Sequence, residues 1–368
     1  MSQNSKIEWT DATWNPITGC TAISDGCKNC YAKRIYERFN NEPFSTIRFH
    51  EDRLKVPLHW RKPRRIFVNS MGDLFHESVP FDFIDRALAI MAMCPQHTFM
   101  ALTKRPGRMV EYFTDTGLGL RIGAHLMKFG RGNVGAECAV IDIAHKLTFG
   151  GLKNLMLGCT VENQAAADER IPLLLATPAA KRFVSCEPLL GAVDLSDFAQ
   201  CEDCGKLVRD YGPNTPDIDP TTGIDQMAAE LIGRCGYCHS PFKEPDEVEF
   251  ALNLDLVIAG GETGPGARPA HPDWFRGLRD ACQEASIPYF FKSFGDWGPV
   301  GDSTGKGIIV CSPEHGSRWG SFQADGTFIK GLFKVGCQHM LRVGKSRAGR
   351  MLDGREHNDM PGSPGGCE

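Results

Sequence analysis

Six short runs in this chain are apolar at consecutive positions rather than alternate ones: 65–70 (RIFVNS), 98–103 (TFMALT), 154–160 (NLMLGCT), 182–187 (RFVSCE), 255–260 (DLVIAG) and 289–292 (YFFK). A strand with one face in water alternates, so these runs predict strands covered on both faces, which are characteristically parallel. A run at 13–18 supplies a seventh. Amphipathic stretches at 81–93, 164–176 and 272–285 fall between them and predict crossover helices. The expected fold class is α/β, with a partial or complete parallel (β/α) barrel. Two longer connections read as insertions into one framework: 114–151, Gly-rich with a helix expected over 137–147, and 199–250. The expected division is 1–198 for the first part of the barrel, 199–250 for an inserted module, and 251–300 for the last barrel strands and helices. Residues 301–368 form a Gly-rich, partly basic extension.

Polar and glycine residues gather where each predicted strand ends. Met71-Gly72-Asp73 follows the second strand, Lys104-Arg105-Pro106 the third and Val161-Glu162-Asn163 the fourth. Glu187-Pro188 ends the fifth, Gly261-Glu262-Thr263-Gly264 follows the sixth, and Ser293-Phe294-Gly295-Asp296 follows the seventh. The C-terminal ends of the strands carry the active site in parallel barrels. Any one such acid is more often a helix cap or a solvated loop residue; it is the recurrence around the strands that argues for a site.

The cysteines sharpen the argument. The chain has 15 of them and a formal net charge of −4. The N-terminus lacks the layout of a signal peptide, and no apolar run approaches a membrane span. A cytoplasmic location without membrane attachment is therefore expected, and there thiols serve as metal ligands or buried core groups rather than disulfides. Cys20, Cys27 and Cys30 form a Cys-x6-Cys-x2-Cys loop just after the first strand. Three thiolates can hold three irons of a [4Fe–4S] cluster and leave the fourth iron open. Alternatively they bind Zn²⁺, with His50, His59 or another residue as the fourth ligand. Cys201, Cys204, Cys235 and Cys238 form two Cys-x2-Cys knuckles, the pattern of a closed structural zinc site. The intervening segment cannot build a core, so metal must hold this zinc-ribbon-like module; such sites supply about 10–16 kcal/mol of apparent folding free energy. Cys159 and Cys186 lie within predicted strands and read as core thiols. Cys94, Cys138, Cys282, Cys311, Cys337 and Cys367 have no ligand spacing.

These features resemble the radical S-adenosylmethionine superfamily. There, a three-cysteine loop after the first barrel strand binds a [4Fe–4S] cluster whose open iron is chelated by S-adenosyl-L-methionine. One-electron reduction cleaves that cofactor to a 5′-deoxyadenosyl radical, which removes a substrate hydrogen. More narrowly, the chain resembles an uncharacterised family of phages and mobile elements. The resemblance rests on Trp9-Thr-Asp-Ala-Thr-Trp-Asn-Pro, Phe67-Val-Asn-Ser-Met-Gly-Asp-Leu-Phe, Leu102-Thr-Lys-Arg-Pro and Ser185-Cys-Glu-Pro-Leu-Leu-Gly. It continues through Gly260-Gly-Glu-Thr-Gly-Pro-Gly-Ala-Arg-Pro and Gly349-Arg-Met-Leu-Asp-Gly-Arg. The cysteine loop departs from the superfamily in its six-residue first gap, and Asn29 stands where an aromatic residue is common.

The resemblance implies a barrel of the radical S-adenosylmethionine type and roles by position. Gly72 and Asp73 replace the motif that meets the cofactor's amino group. Lys104 or Arg105 pairs with its carboxylate, Glu162 meets the ribose hydroxyls, and Gly260 and Gly261 admit the adenine. Glu187, Glu262 and Lys292 are the candidate proton-handling residues, with Asp296 beside them; a charge network that merely orders the barrel is the competing reading. The implied activity is reductive cleavage of S-adenosylmethionine to modify a nucleotide, nucleic acid or protein, with electrons from a flavodoxin- or ferredoxin-type donor. Small basic groups at 61–65, 104–108 and 345–350 either hold phosphates or are solvated surface. The alternative is a metal-stabilised module that binds nucleic acid or protein without turnover. A non-radical metallohydrolase is disfavoured, because no His-rich ligand set stands at the strand ends.

Overall fold

The structure, a computed structural model, describes residues 4–130, 151–198, 200–201, 250–300, 318–331 and 337–361. Seven parallel strands form one curled sheet, a half-barrel, in which every strand pairs with its neighbours in chain order. They are β1 (Ala12–Trp14), β2 (Arg65–Val68), β3 (Thr98–Thr103) and β4 (Leu155–Thr160), followed by β5 (Lys181–Cys186), β6 (Leu256–Gly260) and β7 (Tyr289–Ser293). The first strand is shorter than 13–18. Chain pairing breaks around Pro16, which has no N–H to donate, and Ile17–Thr18 pairs antiparallel with Arg48–Phe49 instead.

The apolar runs are explained by two cores. Phe99, Ala101, Leu155, Leu157, Val184, Val257, Ala259, Tyr289 and Phe291 face the outer core. There they meet the helices α2 (Phe81–Ala92), α5 (Gln164–Ala176) and α6 (Pro272–Glu284). The alternate residues Phe67, Met100, Met156, Phe183, Leu256, Ile258 and Phe290 face inward, where Trp9 and Met360 fill the lumen. Burial on both sides is why the strands do not alternate in polarity. The exposed edge of β7 is covered by the chain at 357–359, since Phe291 N donates to His357 O at 2.9 Å and Asp359 N to Tyr289 O at 3.3 Å. Covering an edge blocks unwanted strand pairing.

The helices α3 (Pro106–Phe113) and α4 (Leu118–Gly130) add to this face, whereas α1 (Tyr31–Phe39) packs Ala32 and Tyr36 with Phe44 beside Cys20 and Cys30. Helix α4 falls in the first long connection, yet Leu118, Ile122 and Leu126 are buried in the outer core. That part of the connection belongs to the barrel layer. The expected helix at 137–147 lies outside the described residues. So does the zinc-ribbon segment, apart from its base, where Gln200–Cys201 pairs antiparallel with Phe250–Ala251. The two ends of the 199–250 connection therefore leave the barrel side by side, as an insertion must.

After β7 the chain forms a separate four-stranded antiparallel sheet in the order Trp297–Val300, Gln338–Arg342, Trp319–Phe322 and Phe328–Lys330. Trp297, Phe322 and Met340 form its small core with Ala267. Trp297 Nε1 donates to Ala267 O at 2.7 Å and Arg342 Nη2 to Gly264 O at 2.8 Å. This sheet thus steadies the loop after β6. Among the described residues, no helix is long and apolar enough to cross a membrane.

Candidate functional site

The C-terminal ends of the strands open on a cavity of about 420 Å³. Cys20, Cys27 and Cys30 all line it, together with Gly72, Asp73, Lys104, Arg105, Glu187, Gly261, Glu262 and Lys292. Eleven residues singled out from the sequence are thus drawn to one place by the half-barrel. The three cysteines are half-exposed, whereas Cys94, Cys159, Cys186 and Cys282 are buried. Burial raises the Cys159 and Cys282 thiols to about 12, which suits inert core groups.

The cysteine loop is held from both sides by residues distant in sequence. Its base is set at Gly19, whose φ of +98° and whose missing Cβ, which would lie 2.1 Å from Thr46 O, leave room only for glycine. On one side Arg105 donates to Cys20 Sγ at 3.5 Å, to Thr21 O at 3.1 Å and to Thr21 Oγ1 at 2.8 Å. The same guanidinium pairs with Asp73 at 3.2 Å and with Glu77 at 2.7 Å. On the other side Arg268 grips both oxygens of Glu262, at 2.6 and 2.9 Å, and donates to Asp25 O at 2.9 Å. Asn29 Nδ2 donates to Glu262 Oε2 and to Gly266 O, each at 2.9 Å. Asn29 is therefore the loop's tie to β6, which gives a reason for a polar residue there. Cys30 is the N-cap of α1, so a negatively charged group held by the loop would lie at the positive end of that helix.

Electrostatics separates the candidate residues. Burial pushes the Cys20 thiol up to about 11, reinforced by Asp73 and opposed by Arg105, so ligation would have to displace a proton. Asp73 accepts from Thr103 Oγ1, Phe75 N, Lys104 N and Arg105, which leaves it fully engaged. Arg105 is equally committed. Lys104 lines the cavity with no side-chain hydrogen bond or ion pair among the described residues, and so is the open cation of the two. Burial would raise the Glu262 carboxyl, but Arg268 and Asn29 hold it below its usual value, which suits a permanent anion in a clamp. Glu187 and Lys292 form an ion pair on the cavity wall.

Glu162 and Gly260 do not line the cavity. Glu162 lies beneath the cysteine loop, where a Cβ on Gly26 would stand 3.0 Å from its Oε1. Its Oε2 accepts from Arg170 at 2.7 Å, and both side chains are buried. Burial would raise its pKa, yet Lys104, Ser24 and Arg170 keep it lowered. By distance and angle, Oε1 has no hydrogen-bond partner among the described residues. At Gly261 a Cβ would come within 2.0 Å of Phe294 O, so this glycine is required by the crossing of two protein backbones. Trp9 and Asn69 also line the cavity; both sit inside the quoted motifs, but nothing in their spacing marks them.

Among the described residues, no group of three or more His, Cys, Asp or Glu side chains could hold one metal ion. His50 bonds Thr18 Oγ1 at 2.8 Å and His59 is exposed on the turn Val56–His59; neither lines the cavity. The three cysteines thus share one cavity without converging on a single ion. Of the four zinc-knuckle cysteines, Cys204, Cys235 and Cys238 lie outside the described residues, and only the backbone of Cys201 is described.

No curated protein and no solved structure matches the chain. The family model described as "Protein of unknown function (DUF5131)" matches residues 4–361, and the chain belongs to that family.

Proposed function

We propose that the chain is a radical enzyme that holds a [4Fe–4S] cluster on Cys20, Cys27 and Cys30 and reductively cleaves S-adenosylmethionine to modify a substrate in the same cavity. The observation that carries this reading is that the three half-exposed thiols of one loop face a cavity at the C-terminal mouth of a parallel half-barrel. Cys20, Cys27 and Cys30 would hold the cluster, which would supply one-electron reduction of the cofactor with electrons from a flavodoxin- or ferredoxin-type donor.

This chain's residues divide the remaining work. Arg105 and the Glu262–Arg268 pair hold the loop rigid from opposite sides, which keeps the thiolates preorganised. Lys104, the open cation, pairs with the cofactor carboxylate, and the backbone around Gly72 meets its amino group. Glu187 and Lys292 are paired on the wall and are placed to move a proton to or from a bound substrate. A structural Zn²⁺ on Cys201, Cys204, Cys235 and Cys238 belongs to the same reading.

Anaerobic purification with metal analysis tests it. About four irons and one zinc per chain, followed by 5′-deoxyadenosine on reduction with dithionite and S-adenosylmethionine, is the expected result. Two zincs and no iron-dependent colour would sink the enzyme reading and leave a metal-stabilised binding module.

A further inference from the structure

Two residues of the cavity wall carry buried hydrogen-bond donors with nothing to bond. Asn69 and Trp9 are each 2% exposed, and both line the cavity wall. Asn69 Nδ2 and Trp9 Nε1 have no partner. The opposite end of the Asn69 amide is occupied, because Oδ1 accepts from Ile17 N at 3.3 Å. The amide is therefore oriented, with its NH₂ group left over. Asn69 also holds a φ of +57°, a conformation that asparagine tolerates better than most residues. A buried donor without an acceptor costs about 1–3 kcal/mol. Two in one wall suit a pocket whose missing acceptors come with a ligand.

We infer that Trp9 and Asn69 form a substrate subsite for a carbonyl-bearing nucleobase. The inference rests on the reading of this cavity as the active site. Both donors are neutral, and Ile7, Trp9, Phe67 and Leu102 make the adjoining lining apolar. Moving a carboxylate or phosphate into such a setting costs far more than moving a neutral carbonyl. The nearby cation, Lys292, is already neutralised by Glu187, whereas Lys104 remains for an anionic group. The carboxylate of the cofactor therefore belongs at Lys104, and a neutral oxygen belongs at Trp9 and Asn69. A flat body with an acceptor edge matches an apolar wall that carries N–H donors, the combination by which proteins take unstacked bases.

Trp9→Phe removes one donor and little else; Asn69→Asp removes the other and adds a buried carboxyl, whose cost is read from its melting. Asn69→Asp keeps the acceptor for Ile17 N and the tolerated backbone conformation but loses the NH₂. Trp9→Phe keeps an aromatic ring against Phe67 and Phe183 and loses the indole N–H. Binding of uridine, guanosine and N-acetylglycinamide to the anaerobically purified full chain would be measured by calorimetry, with and without saturating S-adenosylmethionine. The expected result is that a nucleoside binds in both conditions, and that each variant weakens it about tenfold, with Trp9→Phe melting within a few degrees of the parent. Three outcomes overturn the inference. No nucleoside binds, or binding is indifferent to both variants, or only N-acetylglycinamide binds. Loss of nucleoside binding on adding S-adenosylmethionine would assign the two donors to the cofactor and overturn it as well. Formation of 5′-deoxyadenosine is scored separately, so the radical reading can stand while the subsite fails, and the reverse.

Discussion

Arg105 reaches across 85 residues of sequence to place its Nη1 3.5 Å from Cys20 Sγ. The same side chain is bonded to Asp73, Glu77 and Thr21, so one guanidinium joins the ends of two strands to the cysteine loop. A sequence reading sees a basic residue at a strand end. In the fold it is a fastener.

Removing that fastener has a large expected effect. Arg105→Ala leaves the buried Asp73 without its cation and should destabilise the chain by about 3–5 kcal/mol. Arg105→Lys keeps the charge but not the planar fork, and should fold while losing much of its iron. Thermal melting and iron content, measured on the same samples, separate the two effects. Full iron occupancy in the lysine variant would show that the loop does not depend on this clamp.

The cysteines should fall into two groups. Cys27→Ser, at a half-exposed position, is expected to lose iron and all formation of 5′-deoxyadenosine with little change in melting temperature. Cys186→Ser places a hydroxyl at a fully buried position and should lose about 1–3 kcal/mol of stability while keeping its iron. Cys204→Ala should lose zinc and keep the iron. Metal analysis of the three variants decides the assignment, and unchanged iron in Cys27→Ser would move the cluster elsewhere.

Lys104 and Arg105 are neighbours with different expected roles. Lys104→Ala should fold normally and bind S-adenosylmethionine about tenfold more weakly, the loss appropriate to one charge-assisted hydrogen bond. Equilibrium dialysis against the cluster-loaded protein measures it. Unchanged affinity would take the carboxylate away from Lys104.

Glu162 tests whether an acid beneath the loop serves the fold or the cofactor. It shares a buried ion pair with Arg170. Glu162→Ala should cost about 3–5 kcal/mol, and Glu162→Gln appreciably less, because the amide oxygen still accepts from Arg170. If the glutamine variant melts like the parent but no longer binds S-adenosylmethionine, the acid acts on the cofactor after all.

Acid stability should respond to Asp353. Arg276 and burial act oppositely on it; with Arg279 adding to Arg276, its carboxyl falls to about 2. A lowered folded-state value gives stability that is present above the ordinary aspartate range and lost as pH falls from about 4 towards 2. The carboxylate is 37% exposed, so solvent screening limits the contribution to roughly 1 kcal/mol. Asp353→Asn should lower the melting temperature near neutral pH and converge with the parent near pH 2. A constant gap across that window would sink the assignment.

Much of the scaffold was legible because it depends on short-range pattern. Runs at 98–103 and 164–176 coincide with β3 and α5, and the other expected strands differ from the observed ones by one or two residues at an end, except the first, expected over 13–18 and observed over Ala12–Trp14. Helix α5 is marked locally by Asn163, whose Oδ1 accepts from Ala166 N at 3.0 Å. Helices α1 and α3 were not expected, since they follow functional loops whose Cys30 and Arg105 drew a chemical reading. The small sheet from Trp297 to Arg342 was read as an extension, because its strands are short and pair across long separations.

The sequence by itself determined a parallel α/β framework and a three-cysteine loop at its C-terminal mouth. Consecutive apolar residues require cover on both faces, and strand order then brings the strand ends together. Tertiary structure alone decided which polar side chains remain available. Arg105, Asp73 and Glu262 are consumed by partners far along the chain, Glu162 is covered by Gly26, and Lys104, Asn69 and Trp9 are left facing the cavity. Hydrogen bonding is settled by distances of about 3 Å, and no spacing along a chain encodes which of several nearby groups closes that distance first.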